Sequence, residues 1–255
     1  MNDNIFLMQI KDITKSYGSI QALKGISMNI GYNEIIGLVG DNGAGKTSLI
    51  KIMTGVHKQD NGEIFWKGKK INNLDVPLAR QLGITTVFQD KALSPQHSIW
   101  RNIFMGRELT NKLGFIQIKK QKDETLKLMK GKMSFTSTAI NPENIVGFMS
   151  GGEQQGVAIS RAIYFDSELV ILDEPTTGLS LTESQKVIDF ILTIKKEGKS
   201  AIFISHNLFH VHPVVDKIVI IDRGITVGSY KKEDISLSEL EKKMYLIAAD
   251  AHATI

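Results

Sequence analysis

The chain predicts an α/β fold built on an open, mostly parallel sheet with helices on both faces. Three observations carry that reading. In the last third, short apolar runs at residues 169–172, 201–205 and 217–221 alternate with helical patterning at 181–195 and 207–215. Nearer the start, the apolar run Ile35-Ile36-Gly37-Leu38-Val39 leads through a glycine-rich turn into residues 48–53, which repeat apolar positions at helical spacing. Finally, Gly40, Gln89, Asp173 and His206 each fall just after a predicted strand. The carboxyl ends of such strands are where open α/β sheets bind ligands.

The remaining elements follow in order. Residues 5–13 and 26–30 alternate or run apolar and read as strands. Gly62-Glu63-Ile64-Phe65-Trp66 is a further strand running into a turn at Lys67-Gly68-Lys69, so the first third is rich in strands. A helix is expected from Val76 or Pro77 to about Leu82, then a strand over 84–88. From about 90 to 160 the chain is polar, contains methionines and suits helices better than strands; a helix opening near Ser150 runs through Arg161 to Tyr164. A short helix near 236–246 closes the pattern. No internal repeat or low-complexity linker interrupts it.

Composition narrows the class of function. The 255 residues suffice for a substantial core, and 31 basic against 27 acidic residues leave a net charge of only +4. Lysine clusters at 67–70, 119–122 and 231–232 lack interleaved aromatics, so they read as solvated turns and helix faces, and no nucleic-acid partner is expected. No apolar run approaches the ~18 residues that cross a bilayer. Met1-Asn2-Asp3-Asn4 lacks the basic, apolar start of a secretory signal, so a cytoplasmic location is expected. The absence of cysteine excludes disulfides and thiolate metal sites.

The chemistry lies in two constellations. Gly40-Asp41-Asn42-Gly43-Ala44-Gly45-Lys46-Thr47 matches the phosphate-cradling pattern G-x-x-x-x-G-K-[ST], with Ser48 next in the helix. Its glycines let successive backbone N–H groups turn inward where a Cβ would intrude, and the helix start adds its positive dipole end. Lys46 would reach the β- and γ-phosphates and the Thr47 hydroxyl would bind Mg²⁺. The second constellation is Leu169-Val170-Ile171-Leu172-Asp173-Glu174, an apolar strand ending in two acids. Neighbouring side chains at a strand end point in different directions, so the two can differ in role. Asp173 suits a magnesium shell and Glu174 a general base; a helix-capping acidic pair before Pro175 is the structural alternative. Ser150-Gly151-Gly152-Glu153 has capping-box spacing and also exposes helix-start amides as a second anion grip. One triphosphate rarely needs two grips, which points to nucleotide held by another copy.

These motifs, in this order, resemble the nucleotide-binding subunit of an ATP-binding cassette (ABC) transporter, over residues 8 to about 246. The resemblance implies a P-loop NTPase (RecA-like) core, an N-terminal antiparallel β subdomain and an inserted helical subdomain. It implies one ABC ATPase domain over 1–255, with the core at about 1–89 and 161–255 and the helical part at about 90–160. Two subunits would sandwich two ATP molecules against membrane-spanning partners. Tyr17 would stack on adenine and residues 40–48 would bind the phosphates. Thr47, Gln89 and Asp173 would hold Mg²⁺. Ser150, Gly151, Gly152 and Glu153 would touch ATP on the opposite subunit, Glu174 would activate water, and His206 would contact the γ-phosphate. The stretches GVHKQDNGEI, ARQLGITTVFQD and RNIFMGRE are similar to single-cassette ATPases of fructose-, ribose- and xylose-type monosaccharide importers. Such a subunit lies on the cytoplasmic face of the membrane, beside a permease and, indirectly, an extracytoplasmic sugar-binding protein. The solute itself is not encoded here.

Three residues depart from the family pattern. Met149 and Glu153 flank the Ser-Gly-Gly where leucine and glutamine are usual, and Glu153 is expected to face the helix backbone. Ser180 stands where aspartate is usual. Two other readings compete with import. One is an ABC-type ATPase acting on nucleic acid or ribosomes, whose relatives usually carry two cassettes or a long coiled-coil insertion. The other is a weakly hydrolysing regulator, as Glu153 and Ser180 would allow. His57, His97, His210 and His212 are read as surface or packing residues.

Overall fold

The computed structural model describes residues 6–131, 141–165 and 167–252, so Ile5 of the first predicted strand and 132–140 of the predicted helical region lie outside the described residues. The chain forms two compact units. One takes in the described chain through Thr86, Glu168–Glu174 and the described residues from Ile191 onward; the other is built from the described residues of Val87–Ser167 and from Pro175–Phe190.

The first unit opens with β1 (Met8–Tyr17) and β2 (Ile20–Ile30), an antiparallel pair. Sequence alternation captured only the end of β2. Gly25, at φ 111°, is skipped in the pairing, so that Ile13 faces Ile26 and Thr14 faces Lys24. That bulge puts Leu23 and Ile26, three apart, on the same buried face and breaks the two-residue period. β3 (Ile35–Val39) is buried throughout and runs through the phosphate-loop sequence into α1 (Lys46–Met53). β4 (Asn61–Trp66) and β5 (Lys69–Ile71) complete a four-stranded sheet ordered β2-β1-β4-β5, whose pairings are all antiparallel. Next comes α2 (Val76–Gln81), capped by Asp75, which accepts the Leu78 N–H at 2.8 Å and is followed by Pro77 in the first turn; β6 (Ile84–Val87) follows.

The second unit holds α3 (Ile99–Phe104), α4 (Ile118–Gly131) and α5 (Gly151–Tyr164) around a core of Ile99, Ile103, Phe104, Leu128, Met129, Val146 and Val157. Buried Asn102 organises its entry segment. The Asn102 Oδ1 accepts the Ser94 N–H at 2.7 Å, and its Nδ2 donates to the carbonyls of Ser94, His97 and Ser98 at 3.0 to 3.2 Å.

Back in the first unit, β7 (Leu169–Asp173) is fully buried, as the unbroken apolar run predicts for a parallel strand. After α6 (Leu181–Lys196), whose residues through Phe190 are counted in the second unit, come β8 (Ser200–Ile204), α7 (Leu208–Val211), β9 (Lys217–Asp222), β10 (Ile225–Lys231) and α8 (Leu237–His252). The main sheet has the order β10-β9-β3-β8-β7-β6; β3 runs parallel to β8 and β9, and β7 parallel to β8. Edge strand β10 escaped the sequence reading because it has no fully buried residue and carries Gly228 mid-strand. It forms a hairpin with β9 through Arg223 and Gly224, at φ 43° and 82°, the doubly positive signature of a type I′ turn. α7 is shorter than the predicted 207–215, since Pro213 lacks an N–H and its ring blocks continuation. α8 runs past the predicted 246; its start is fixed by the Ser236–Glu239 capping box.

Gly37, at the middle of central strand β3, is where α7 reaches the sheet. A Cβ there would fall inside the van der Waals surface of Val211 Cγ1 and 3.1 Å from Val215 Cγ1. Gly37→Ala should therefore lower the urea midpoint by about 1–3 kcal/mol in stability, the scale of an overpacked core. Adding Val211→Ala should recover much of it, whereas equal loss in both backgrounds would contradict this packing.

Candidate functional site

The phosphate loop takes the shape its glycines dictate. Gly40, Gly43 and Gly45 have φ of 155°, 83° and 106°, a region that L side chains rarely enter. A Cβ on Gly40 would overlap the Ile221 carbonyl oxygen, and one on Gly45 would lie 2.8 Å from Leu23 Cδ2 and 2.9 Å from the Ala22 oxygen. Asp41, Asn42, Gly43 and Thr47 are exposed, Ser48 and Gly45 half-buried, and Ala44 buried. Lys46 is only 8 % exposed and bends back over the loop; its Nζ donates to the carbonyl oxygens of Gly40 at 2.6 Å and Asp41 at 2.9 Å.

The second constellation comes to the same unit through β7 and β8. Asp173 ends β7 at 6 % exposure. Burial lowers the Lys46 pKa, against the raising influence of Glu174, Asp173 and Asp41; burial raises that of Asp173, reinforced by Glu174 and opposed by Lys46. Glu174 has φ 48°, a strained value for a residue with a Cβ, and its N–H donates to the Ile204 oxygen at 3.0 Å. Its carboxylate is held from β8: Oε1 accepts the His206 N–H at 3.0 Å and lies 2.9 Å from His206 Nδ1, while Oε2 accepts from Ser205 Oγ at 3.4 Å. Lys46, Asp173, Glu174 and His206 are thus brought together.

Tyr17 remains in the first unit at the end of β1, 39 % exposed, with its hydroxyl 2.6 Å from His57 Nδ1. Sequence alone reads His57 as a surface or packing residue. Nothing in its motif marks the partnership, which joins residues 40 positions apart.

The remaining candidates belong to the second unit. Gln89 is exposed, two residues past β6. The capping box at α5 forms as its spacing predicts: Glu153 Oε2 accepts the Ser150 N–H at 2.8 Å, and Ser150 Oγ accepts the Glu153 N–H at 3.2 Å. Glu153 therefore faces the helix backbone. Glu183 was not foreseen. Its Oε1 accepts the Gly152 N–H at 3.1 Å and the Ser150 hydroxyl at 3.3 Å, and its Oε2 accepts the N–H and hydroxyl of Ser180 at 3.0 and 2.9 Å. Those donors, Ser180 first, hold its pKa below the usual carboxylate value. Ser180-Leu181-Thr182-Glu183 is itself a readable capping box for α6; its reach to α5 is tertiary. Lys91 Nζ donates to the Gly151 oxygen at 2.9 Å, and burial lowers its pKa against the influence of Glu183.

Loop, acid pair and capped Ser-Gly-Gly helix together define a nucleotide-hydrolysing cassette. The chain belongs to the ABC transporter family, whose model matches residues 23–177, and it is an ATP-binding ATPase of that family. It is 41 % identical over 239 residues to a xylose/arabinose import ATP-binding protein of Sulfolobus acidocaldarius, covering 93 % of each chain. It is 37 % identical to a fructose import ATP-binding protein of Rhizobium meliloti, covering 91 % of each. A ribose import ATP-binding protein of Bacillus licheniformis is 36 % identical over 93 % of this chain, which spans only 47 % of that relative's length. Among solved structures, a nucleotide-free ATP-binding cassette from an ABC transporter matches with a TM-score of 0.81 at 23 % identity, covering 95 % of this chain and 98 % of that one.

Asp173 generates a prediction about the nucleotide-free protein. Burial holds its pKa above the ordinary aspartate value in the folded state, so the folded protein holds this proton more tightly than the unfolded chain. The carboxyl's contribution to stability is then fully present below the unfolded pKa and is lost as pH rises through the folded pKa. At neutral pH, Asp173→Asn should raise the thermal midpoint by a few degrees, and the gain should vanish in acid. An unchanged or lower midpoint at pH 7 would contradict the burial assigned to this carboxylate.

Proposed function

We propose that the chain is the ATP-hydrolysing subunit of an importer for a monosaccharide of the xylose, ribose or fructose class. The observation that carries the substrate class is its similarity, over at least 91 % of its length, to three relatives each named for import of such a sugar. It works at the cytoplasmic face of a membrane against permease subunits that supply the passage; no helix among the described residues is long and apolar enough to cross one.

The roles proposed for its residues follow from their surroundings. Inward amides of the Gly40–Thr47 loop bind the triphosphate, and Lys46 exchanges its two carbonyl partners for phosphate oxygens. The group chemistry also fits Mg²⁺: Asp173 is a buried carboxylate whose charge is incompletely offset, and Thr47 presents an exposed hydroxyl one residue from Lys46. Thr47 and Asp173 would hold the ion, which when bound neutralises charge on the transferred phosphoryl group. Glu174, fixed by His206 and Ser205, takes the proton of the attacking water, and His206 supports its orientation. Developing charge is met by Lys46 and the loop amides. Tyr17 stacks on adenine. Ser150, Gly151 and Gly152 complete the site on a second copy, Glu153 serving them through the helix backbone. Because Glu153 and Ser180 each close a capping box, neither departure argues for a non-hydrolysing regulator.

Glu174→Gln should retain ATP binding while turnover falls by about 10²–10⁴-fold, the range for loss of a positioned base; wild-type steady-state hydrolysis would refute the role. Lys46→Ala should weaken ATP binding itself by at least about tenfold, as expected when a charge-assisted contact is lost. In liposomes holding the subunit with its permease, hydrolysis should rise with a sugar-loaded binding protein, and indifference to every pentose and hexose would overturn the import reading.

A further inference from the structure

The chemistry above gives Tyr17 a task and leaves its partner His57 without one. The hydroxyl of Tyr17 lies 2.6 Å from His57 Nδ1, with ring centroids 5.5 Å apart and planes at 59°. His57 sits in the turn after α1, where its N–H donates to the Lys51 oxygen at 2.9 Å. Three residues on, Asp60 clamps the strand that carries Tyr17. Its Oδ2 accepts the Ser16 N–H at 2.6 Å, its Oδ1 accepts Lys15 Nζ at 2.7 Å, and its own N–H donates to the Thr14 oxygen at 2.9 Å. Lys15 Nζ also stands 5.7 Å from the Tyr17 ring centroid.

This turn is therefore fastened at both ends. One end is the C-terminus of α1, whose N-terminus is the phosphate loop; the other is the last four residues of β1. Tyr17 itself is 39 % exposed and would otherwise be free to sample rotamers. A ligand gripped at two points binds more tightly when the grips are held at fixed separation before it arrives.

We propose that His57 is a positioning residue for the nucleotide base: it holds the Tyr17 ring, through the phenol hydroxyl, at a set distance and tilt from the phosphate loop. The inference rests on the reading that Tyr17 stacks on adenine, and the test separates the two. Calorimetry in Mg²⁺ would compare ADP with inorganic pyrophosphate, which shares the phosphate grip and lacks the base. His57→Ala should weaken ADP about fivefold, the scale of one neutral hydrogen bond, and leave pyrophosphate unchanged. His57→Asn, which keeps a polar atom near the Nδ1 position, should restore most of the loss. Tyr17→Phe should match His57→Ala, and the double variant should bind no worse than either single one. If Tyr17→Ala weakens ADP while His57→Ala does not, His57 has no positioning role and the stacking reading stands. If Tyr17→Ala leaves ADP unchanged, the stacking reading falls and this inference with it. Equal weakening of ADP and pyrophosphate by His57→Ala would overturn the proposal in favour of general support of α1.

Discussion

A lysine ammonium kept out of water at the mouth of a glycine loop is the constraint on which this site depends. Lys46 is almost fully buried, and its stabilisation comes from two backbone carbonyls together with the field of Asp173 and Glu174. Burying an unpaired charge is costly, so the loop must fold back on the lysine and the acids must stand close by. Both demands fall on the sheet. Gly40 must press against the Ile221 carbonyl, which only a residue without a Cβ can do, and β7 must deliver its acids in register with β8. Substitutions in the fully apolar strands would therefore reach the chemistry through geometry before touching any ligand.

The adjacent acids show how one strand end yields two kinds of carboxylate. Asp173 still follows the strand, buried, and burial biases it toward its proton; a positive charge placed beside it would be welcome. Glu174 leaves the strand at a strained φ, which turns it away from its neighbour's path and toward the donors of Ser205 and His206. That strain is offset by the N–H bond to Ile204 and the contacts of the carboxylate. Local strain at a charged residue that is also over-determined by hydrogen bonds is the pattern expected where orientation matters more than stability.

Much of this was legible in the chain because the signals are local. Glycines at fixed offsets, an apolar run ending in Asp173-Glu174, and the Ser150-x-x-Glu153 spacing each encode a conformation within a few residues, so the phosphate loop, β7 and the α5 capping box could be read directly. The failures have equally physical causes. A skipped Gly25 shifts the buried phase of β2. β10 alternates only partial burial with exposure, since it lies at an edge. α7 stops early under Pro213. The pairs Tyr17–His57 and Gly152–Glu183 join residues 40 and 31 positions apart, and no periodicity carries information over that separation.

In each of the two proposed phosphate grips, one within each unit, some of the donors are taken up by groups of the protein itself. In the first, backbone carbonyls occupy the lysine. In the second, the Glu183 carboxylate occupies the amide of Gly152 and the hydroxyl of Ser150, and Glu153 takes the Ser150 amide. Helix-start amides and a buried ammonium left without partners would destabilise the ligand-free chain, so internal acceptors fill the roles that phosphate oxygens fit. Nucleotide binding at such grips is an exchange of acceptors, and its net free energy is a difference between two sets of charge-assisted bonds. On the proposed reading, in which the two grips meeting one nucleotide come from two copies, a ligand that carries more charge than the groups it displaces gains most. A triphosphate has that character, and a diphosphate has less of it.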